Sequence, residues 1–154
     1  MTLLKKQAED LKQIAASIES HVCDKADNLI TIVLESKHRQ RLTPNFYIGE
    51  FMCRDGSTLI LIDKRLSEGL QRIRAIIGKP VIITSAFRTP EHNAAVGGAD
   101  ESRHKTGQAA DIVVQGMTPD QVADIARQVG FRGIGIYRTF THVDVRDAPA
   151  EWRG

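Results

Sequence analysis

Cysteine is scarce in this chain: 154 residues carry two, Cys23 and Cys53. They form no CxxC pair, and a secreted scaffold stapled by disulfides carries more. Free thiols and a reducing compartment during synthesis are expected. A membrane-spanning run is missing too. The longest apolar stretch, Leu29 to Leu34, is interrupted by Thr31 and is far too short to cross a bilayer. No apolar signal-peptide core follows Met1, because Leu3 and Leu4 give way at once to Lys5 and Lys6. The sequence therefore predicts synthesis in a cytoplasm, with separate release if the substrate lies outside. Charge of one sign is lacking as well: 21 basic and 19 acidic side chains leave a net +2. The densest basic cluster, Lys37, His38, Arg39 and Arg41, reads as a solvated helix face rather than a nucleic-acid surface. Neither nucleic acid nor membrane is expected as a partner. There are no internal repeats and no low-complexity tract.

What is present suits one soluble domain with an extension, 42% hydrophobic and 26% charged. Leu4, Ala8, Leu11, Ala15 and Ile18 recur at helical steps and predict an amphipathic helix over 3 to 20. Residues 24 to 42 fit a short helix or a strand. Pro44 and Asn45 break that pattern. Beyond them Asp63 is placed to cap a helix through Ile77, with Leu66, Leu70, Ile73 and Ile77 on one face and Gly78 ending it. Pro80 to Ser85 predicts a buried strand by its β-branched content. Thr89-Pro90 starts a short helix that ends at Gly97-Gly98. Ala110 to Gln115 is a strand, Thr118 to Val129 a helix, and 133–137 with 141–146 a pair of strands joined by a tight turn. Seven of the 12 glycines fall between 97 and 135. Such turn-dense sequence predicts an α+β domain, helices packed on one small antiparallel sheet. A βαβ start also fits the element order, but the closing hairpin favours the antiparallel choice.

The chemistry concentrates in Ser102-Arg-His-Lys-Thr-Gly-Gln-Ala-Ala-Asp111 and Thr141-His-Val-Asp144. His104, Asp111 and His142 are a ligand set that zinc accepts when it works as a catalyst, leaving a fourth position open for water. His104 sits in a polar loop with nothing around it that would make it a core histidine. Asp111 precedes Ile-Val-Val, so its strand is buried and its carboxylate needs a partner: a metal, or Arg88 or Arg146 in a salt bridge. Alternation along Phe140 to Val145 puts His142 and Asp144 on one face. Arg88 ends the strand before it. Its planar fork suits a substrate carboxylate, and a pair with Glu91 or Asp100 is the plainer alternative. His38 and His92 are read as surface residues.

From about Phe46 to Gly154 the chain resembles the zinc D-Ala-D-Ala carboxypeptidase family of peptidoglycan peptidases, which shares its fold with the Hedgehog signalling domain. The resemblance rests on Ser-Ala-Phe-Arg-Thr-Pro at 85 to 90, Asn93 to Gly98, the 102 to 111 stretch and His142-Val-Asp-Val-Arg146. Glu50 to Cys53 and Glu151 to Gly154 resemble small phage-associated and bacterial members. It implies a domain over 46–154 and does not cover residues 1–45, which are read as a helical extension that docks on the domain, dimerises or binds another protein. It further implies one zinc held by His104, Asp111 and His142, with Arg88 steadying the substrate carboxylate or the oxyanion and Ser102 contacting substrate. The implied reaction is hydrolysis of a bond next to a D-amino acid in the wall stem peptide, by a D-Ala-D-Ala carboxypeptidase or a wall endopeptidase, a phage lysin among the possibilities. Better-known relatives place a base two or three positions before the last histidine, where this chain has Thr139 and Phe140. Asp144 is the nearest titratable group, either as the base or as a carboxylate orienting a histidine. Two other classes stay in view: a binding module holding zinc for structure, and a phosphoesterase, which needs two metals and more ligands.

Overall fold

The structure is a computed structural model and describes residues 28–33 and 39–154. The helix predicted over 3 to 20 lies outside these residues, as do Cys23, Lys37 and His38. The ambiguous segment resolves in part: Leu29–Val33 is a strand, β1. It pairs antiparallel with β4, Leu59–Asp63. Short strands β2 (Arg41–Thr43) and β3 (Phe46–Tyr47) pair with each other. A five-stranded sheet carries the rest: β5 (Val81–Ser85), β6 (Ala109–Val114), β7 (Gly133–Ile136), β8 (Thr141–Asp144) and β9 (Ala150–Arg153), in the order β5-β6-β8-β7-β9. Helices α1 (Lys64–Ile77), α2 (Pro90–Ala95) and α3 (Pro119–Val129) complete an α+β architecture.

Local chemistry sets the helix ends. The Asp63 side chain accepts from the Arg65 amide, and Gly78 stops α1 in the left-handed conformation at φ 70°. Leu66, Leu70 and Ile73 of α1 are buried, as helical spacing predicts. Thr118 and Gln121 form a capping box over Pro119, and α3 buries Val122, Ala123 and Ala126. Both helices pack on the face of the sheet carrying Val81, Ile83, Ala110, Ile112, Val114, Val143, Ile134 and Ile136, all buried. Each such Val or Ile side chain contributes about 1.5–3 kcal/mol by leaving water.

Two expectations need correction. The predicted single antiparallel sheet is three sheets, and β9 runs parallel to β7. β5 is not buried throughout. It is an edge strand that alternates, with Ile82 51% exposed. β4 and β9 were not anticipated. β4 is apolar at four successive positions, and such a run carries no periodicity to read.

Candidate metal centre

Antiparallel register places Asp111 of β6 directly opposite His142 of β8, and His142 opposite Gly135 of β7. The same row runs on to Ser85 at one edge and Trp152 at the other. It lies on the face turned away from α1 and α3. His104 reaches it from a 3-10 turn, Arg103–Thr106, capped by Ser102, whose Oγ accepts from the His104 amide. Gly107 makes that turn possible. Its φ is 72°, and a Cβ there would lie 2.4 Å from the Leu61 carbonyl oxygen of β4.

Ligand atoms of His104, Asp111 and His142 all lie within 4.8 Å of one another, and all three residues are buried. Asp111 Oδ1 stands 3.3 Å from His104 Nε2 and 3.0 Å from His142 Nδ1. The other ring nitrogens are tied. His104 Nδ1 donates to the Ala86 carbonyl at 2.6 Å, and His142 Nε2 donates to Asp144 Oδ2 at 2.9 Å. A carbonyl can only accept, so His104 carries its proton on Nδ1 and turns the Nε2 lone pair toward Asp111. His142 has a carboxylate on each side, Asp111 at Nδ1 and Asp144 at Nε2, and a cation taking Nδ1 would leave its proton on Nε2 with Asp144. Two lone pairs and a carboxylate then converge on one point, which is a donor set that a divalent cation satisfies.

The charges follow from these contacts. Burial pushes the His104 pKa below the ordinary imidazole value. Burial also opposes charge on His142, but Asp111 and Asp144 on its two sides outweigh it and raise the pKa. Burial disfavours the Asp111 carboxylate, yet the imidazoles of His104 and His142 beside Oδ1 outweigh it and hold its pKa well below the usual range. Arg88 holds its other oxygen, with a nitrogen 3.1 Å from Oδ2. Arg88 is itself fixed by Ser85 Oγ at 3.0 Å and Asn93 Oδ1 at 3.4 Å. The pairing of Arg88 is therefore with Asp111, not with Glu91 or Asp100.

Asp144 has no solvent exposure. Besides His142 it accepts from the Arg146 backbone amide at 3.1 Å and from the Arg146 guanidinium at 2.8 and 2.6 Å. Burial opposes its charge, but Arg146 and His142 keep it ionised far below the ordinary value. It stands behind His142 and does not line the cavity in front of the cluster. His104, expected in an open polar loop, is only 3% exposed, because its turn packs on β4 and under Ala86. His92 is half-buried on α2, apart from the cluster.

A cavity of about 420 Å³ opens in front of the three residues. Arg88, Arg103, Arg146 and Glu101 give its walls a cationic excess, and Ser102 lines it with them. Tyr137, Phe140 and Trp152 form an aromatic wall that the sequence did not reveal. Trp152 lies with its ring centroid 5.1 Å from that of His142, and the Arg146 guanidinium carbon is 5.0 Å from the indole centroid. The signal was the Gly-Ile-Gly-Ile sequence of β7. A Cβ on Gly133 would fall 2.0 Å from Asp144 Oδ1, and one on Gly135 2.6 Å from the indole. Glycines on alternate strand positions mark close approach by something else.

The family described as Peptidase M15 matches residues 44–145. Among curated proteins, the peptidoglycan L,D-endopeptidase MepK of Escherichia coli K12 is 30% identical over 96 residues, covering 56% of this chain and 53% of the relative. MepK of Shigella flexneri matches to the same extent. The zinc D-Ala-D-Ala carboxypeptidase of Streptomyces albus G is 39% identical over 66 residues, covering 42% of this chain and 26% of the relative. The chain thus spans about half the length of the first relatives it matches and about a quarter of the carboxypeptidase.

Proposed function

Because the chain belongs to the peptidase M15 family, we propose that it is a zinc-dependent peptidase that hydrolyses a bond next to a D-amino acid in bacterial peptidoglycan. The observation that carries this reading is the tethering of both histidines. Ala86 and Asp144 hold the outer ring nitrogens, so that His104 Nε2, His142 Nδ1 and Asp111 Oδ1 face one another. In this reading those three atoms hold one zinc. When bound, zinc polarises a carbonyl and lowers the pKa of water. Asp144 fixes the tautomer and angle of His142, since its oxygens are committed and it has no access to the cavity. Arg88 fixes Asp111 through Oδ2 and lines the cavity, where its guanidinium suits a carboxylate or an oxyanion. Ser102 shapes the His104 turn and contacts substrate beside it.

The longer match to an endopeptidase favours cleavage within the stem over removal of its terminal residue. The fold shared with the Hedgehog signalling domain, and a domain over 46–154, belong to the same proposal. Residues 1–45 form its extension, from which β1 and β2 pair with β4 and β3. So does synthesis in a cytoplasm followed by release to the wall, as for a phage lysin. The test is zinc content by elemental analysis together with digestion of purified peptidoglycan, products read by mass spectrometry. About one zinc per chain and a defined stem fragment are expected. One zinc with no product from any wall type would leave the binding-module reading. No zinc would overturn the centre itself.

A further inference from the structure

We propose that the Tyr137 hydroxyl is a fixed hydrogen-bond donor to the carbonyl oxygen of the scissile bond, and that Trp152 is the positioning residue that makes it one. This rests on the peptidase reading above. Tyr137 follows β7, its amide donating to the Phe140 carbonyl at 3.0 Å. Its ring is stacked on Phe140, centroids 4.4 Å apart and planes within 9°. The ring is therefore held in one plane at the cavity wall. Its hydroxyl oxygen accepts from Trp152 Nε1 at 2.9 Å. An indole nitrogen donates and cannot accept. The contact thus occupies a lone pair of the phenol and leaves its own O–H to donate elsewhere. Among the described residues no hydrogen bond uses that proton, and Tyr137 lines the cavity in front of the histidines.

The support behind the hydroxyl is continuous. Asp144 holds Arg146 through two side-chain hydrogen bonds, Arg146 lies over the indole, and Gly135 leaves room for the indole to rest on β7. The indole spans the interval from the His142 ring to the Tyr137 hydroxyl. Tyr137 lines the cavity in front of the cluster from the β7 side, while Arg88 approaches Asp111 from the β5 edge of the same row. A carbonyl oxygen gains negative charge as water adds to its carbon, and a donor that need not reorient stabilises that charge more than it stabilises the bound substrate. Tyr137 keeps its proton throughout, so it acts as neither acid nor base.

Tyr137→Phe deletes the oxygen and keeps the ring stack. On a muropeptide substrate kcat is expected to fall about 100-fold, the scale for loss of one oxyanion donor, with KM, zinc content and melting temperature unchanged. Binding of a phosphinate analogue of the scissile bond should weaken by a similar factor, while an uncleaved product peptide binds as before. Trp152→Phe keeps a ring beside His142 but removes the N–H, and should show a smaller loss in kcat with the same split. A Tyr137→Phe enzyme with the wild-type kcat overturns the inference and leaves the peptidase reading standing. Parallel losses of zinc, melting temperature and activity would show a structural role and also overturn it. A zinc-loaded wild type that cleaves no muropeptide overturns the peptidase reading and this inference with it.

Discussion

On the helix-facing side of the five-stranded sheet, Ile83, Ile112, Val143 and Ile134 are buried against α1 and α3, whereas the same strands turn Ser85, Asp111, His142 and Gly135 to the other side. Asp111, His142 and Asp144 are nearly as inaccessible as the aliphatic residues. The two faces reach burial by different physics. The apolar face gains from removing hydrocarbon from water, and its residues are interchangeable within limits of volume. The polar face tolerates burial because each group has a partner. Among the described residues no buried side-chain nitrogen or oxygen lacks one. There a residue is defined by which atom donates and which accepts, so a change should register in metal and substrate before it registers in stability.

Four experiments test that contrast. His104→Ala removes one converging ligand and should lose zinc and all hydrolysis while circular dichroism keeps the native spectrum. Elemental analysis decides it, and a variant that still holds zinc would dissolve the contrast. Ile112→Ala, on the opposite face of the strand that carries Asp111, should cost about 2–5 kcal/mol in urea unfolding and still bind zinc when folded. Asp144→Asn should weaken zinc about 10- to 100-fold, as expected for a partner that orients a ligand, measured by chelator competition. Unchanged zinc affinity with hydrolysis abolished would instead return Asp144 to the role of base. The smallest effect concerns neither face. Cys53 is a buried thiol whose pKa burial pushes up. Its protonated form favours the fold below the pKa of an unfolded thiol, and that contribution is lost as pH rises toward the folded value. In a Cys23→Ser background the loss of this contribution should lower the urea midpoint on the alkaline side, and thiol labelling should track unfolding.

The grouping of His104, Asp111 and His142 was legible because ligation restricts residue type, and because a period of two decides which strand residues share a face. His142 and Asp144 could be placed together on that basis, and α1 and α3 announced themselves through Asp63, Gly78, Thr118 and Gly130. What escaped was set by pairing between distant segments. Trp152 reaches His142 only because β9 lies parallel beside β7, and no local pattern in Ala150–Arg153 requires that. The division of labour at Asp144 was equally hidden. Arg146 is two residues away on the same face, but only its fold back onto the carboxylate shows that the group is already engaged. His104 looked exposed because its neighbours in sequence are polar, while its neighbours in space are Ala86 and the backbone of β4.

Gly107 ties the cluster to a part of the molecule with no chemistry of its own. Its carbonyl accepts from the Asp63 amide at 2.8 Å, next to the carboxylate that caps α1, and Gln108 Nε2 reaches that carboxylate at 3.5 Å. On the other side of the turn the His104 carbonyl accepts from the Arg88 amide at 3.0 Å. The amides of Asp63 and Arg88 therefore sit in one cooperative unit and should exchange with deuterated solvent at a common rate, because neither can open without releasing the turn that presents His104.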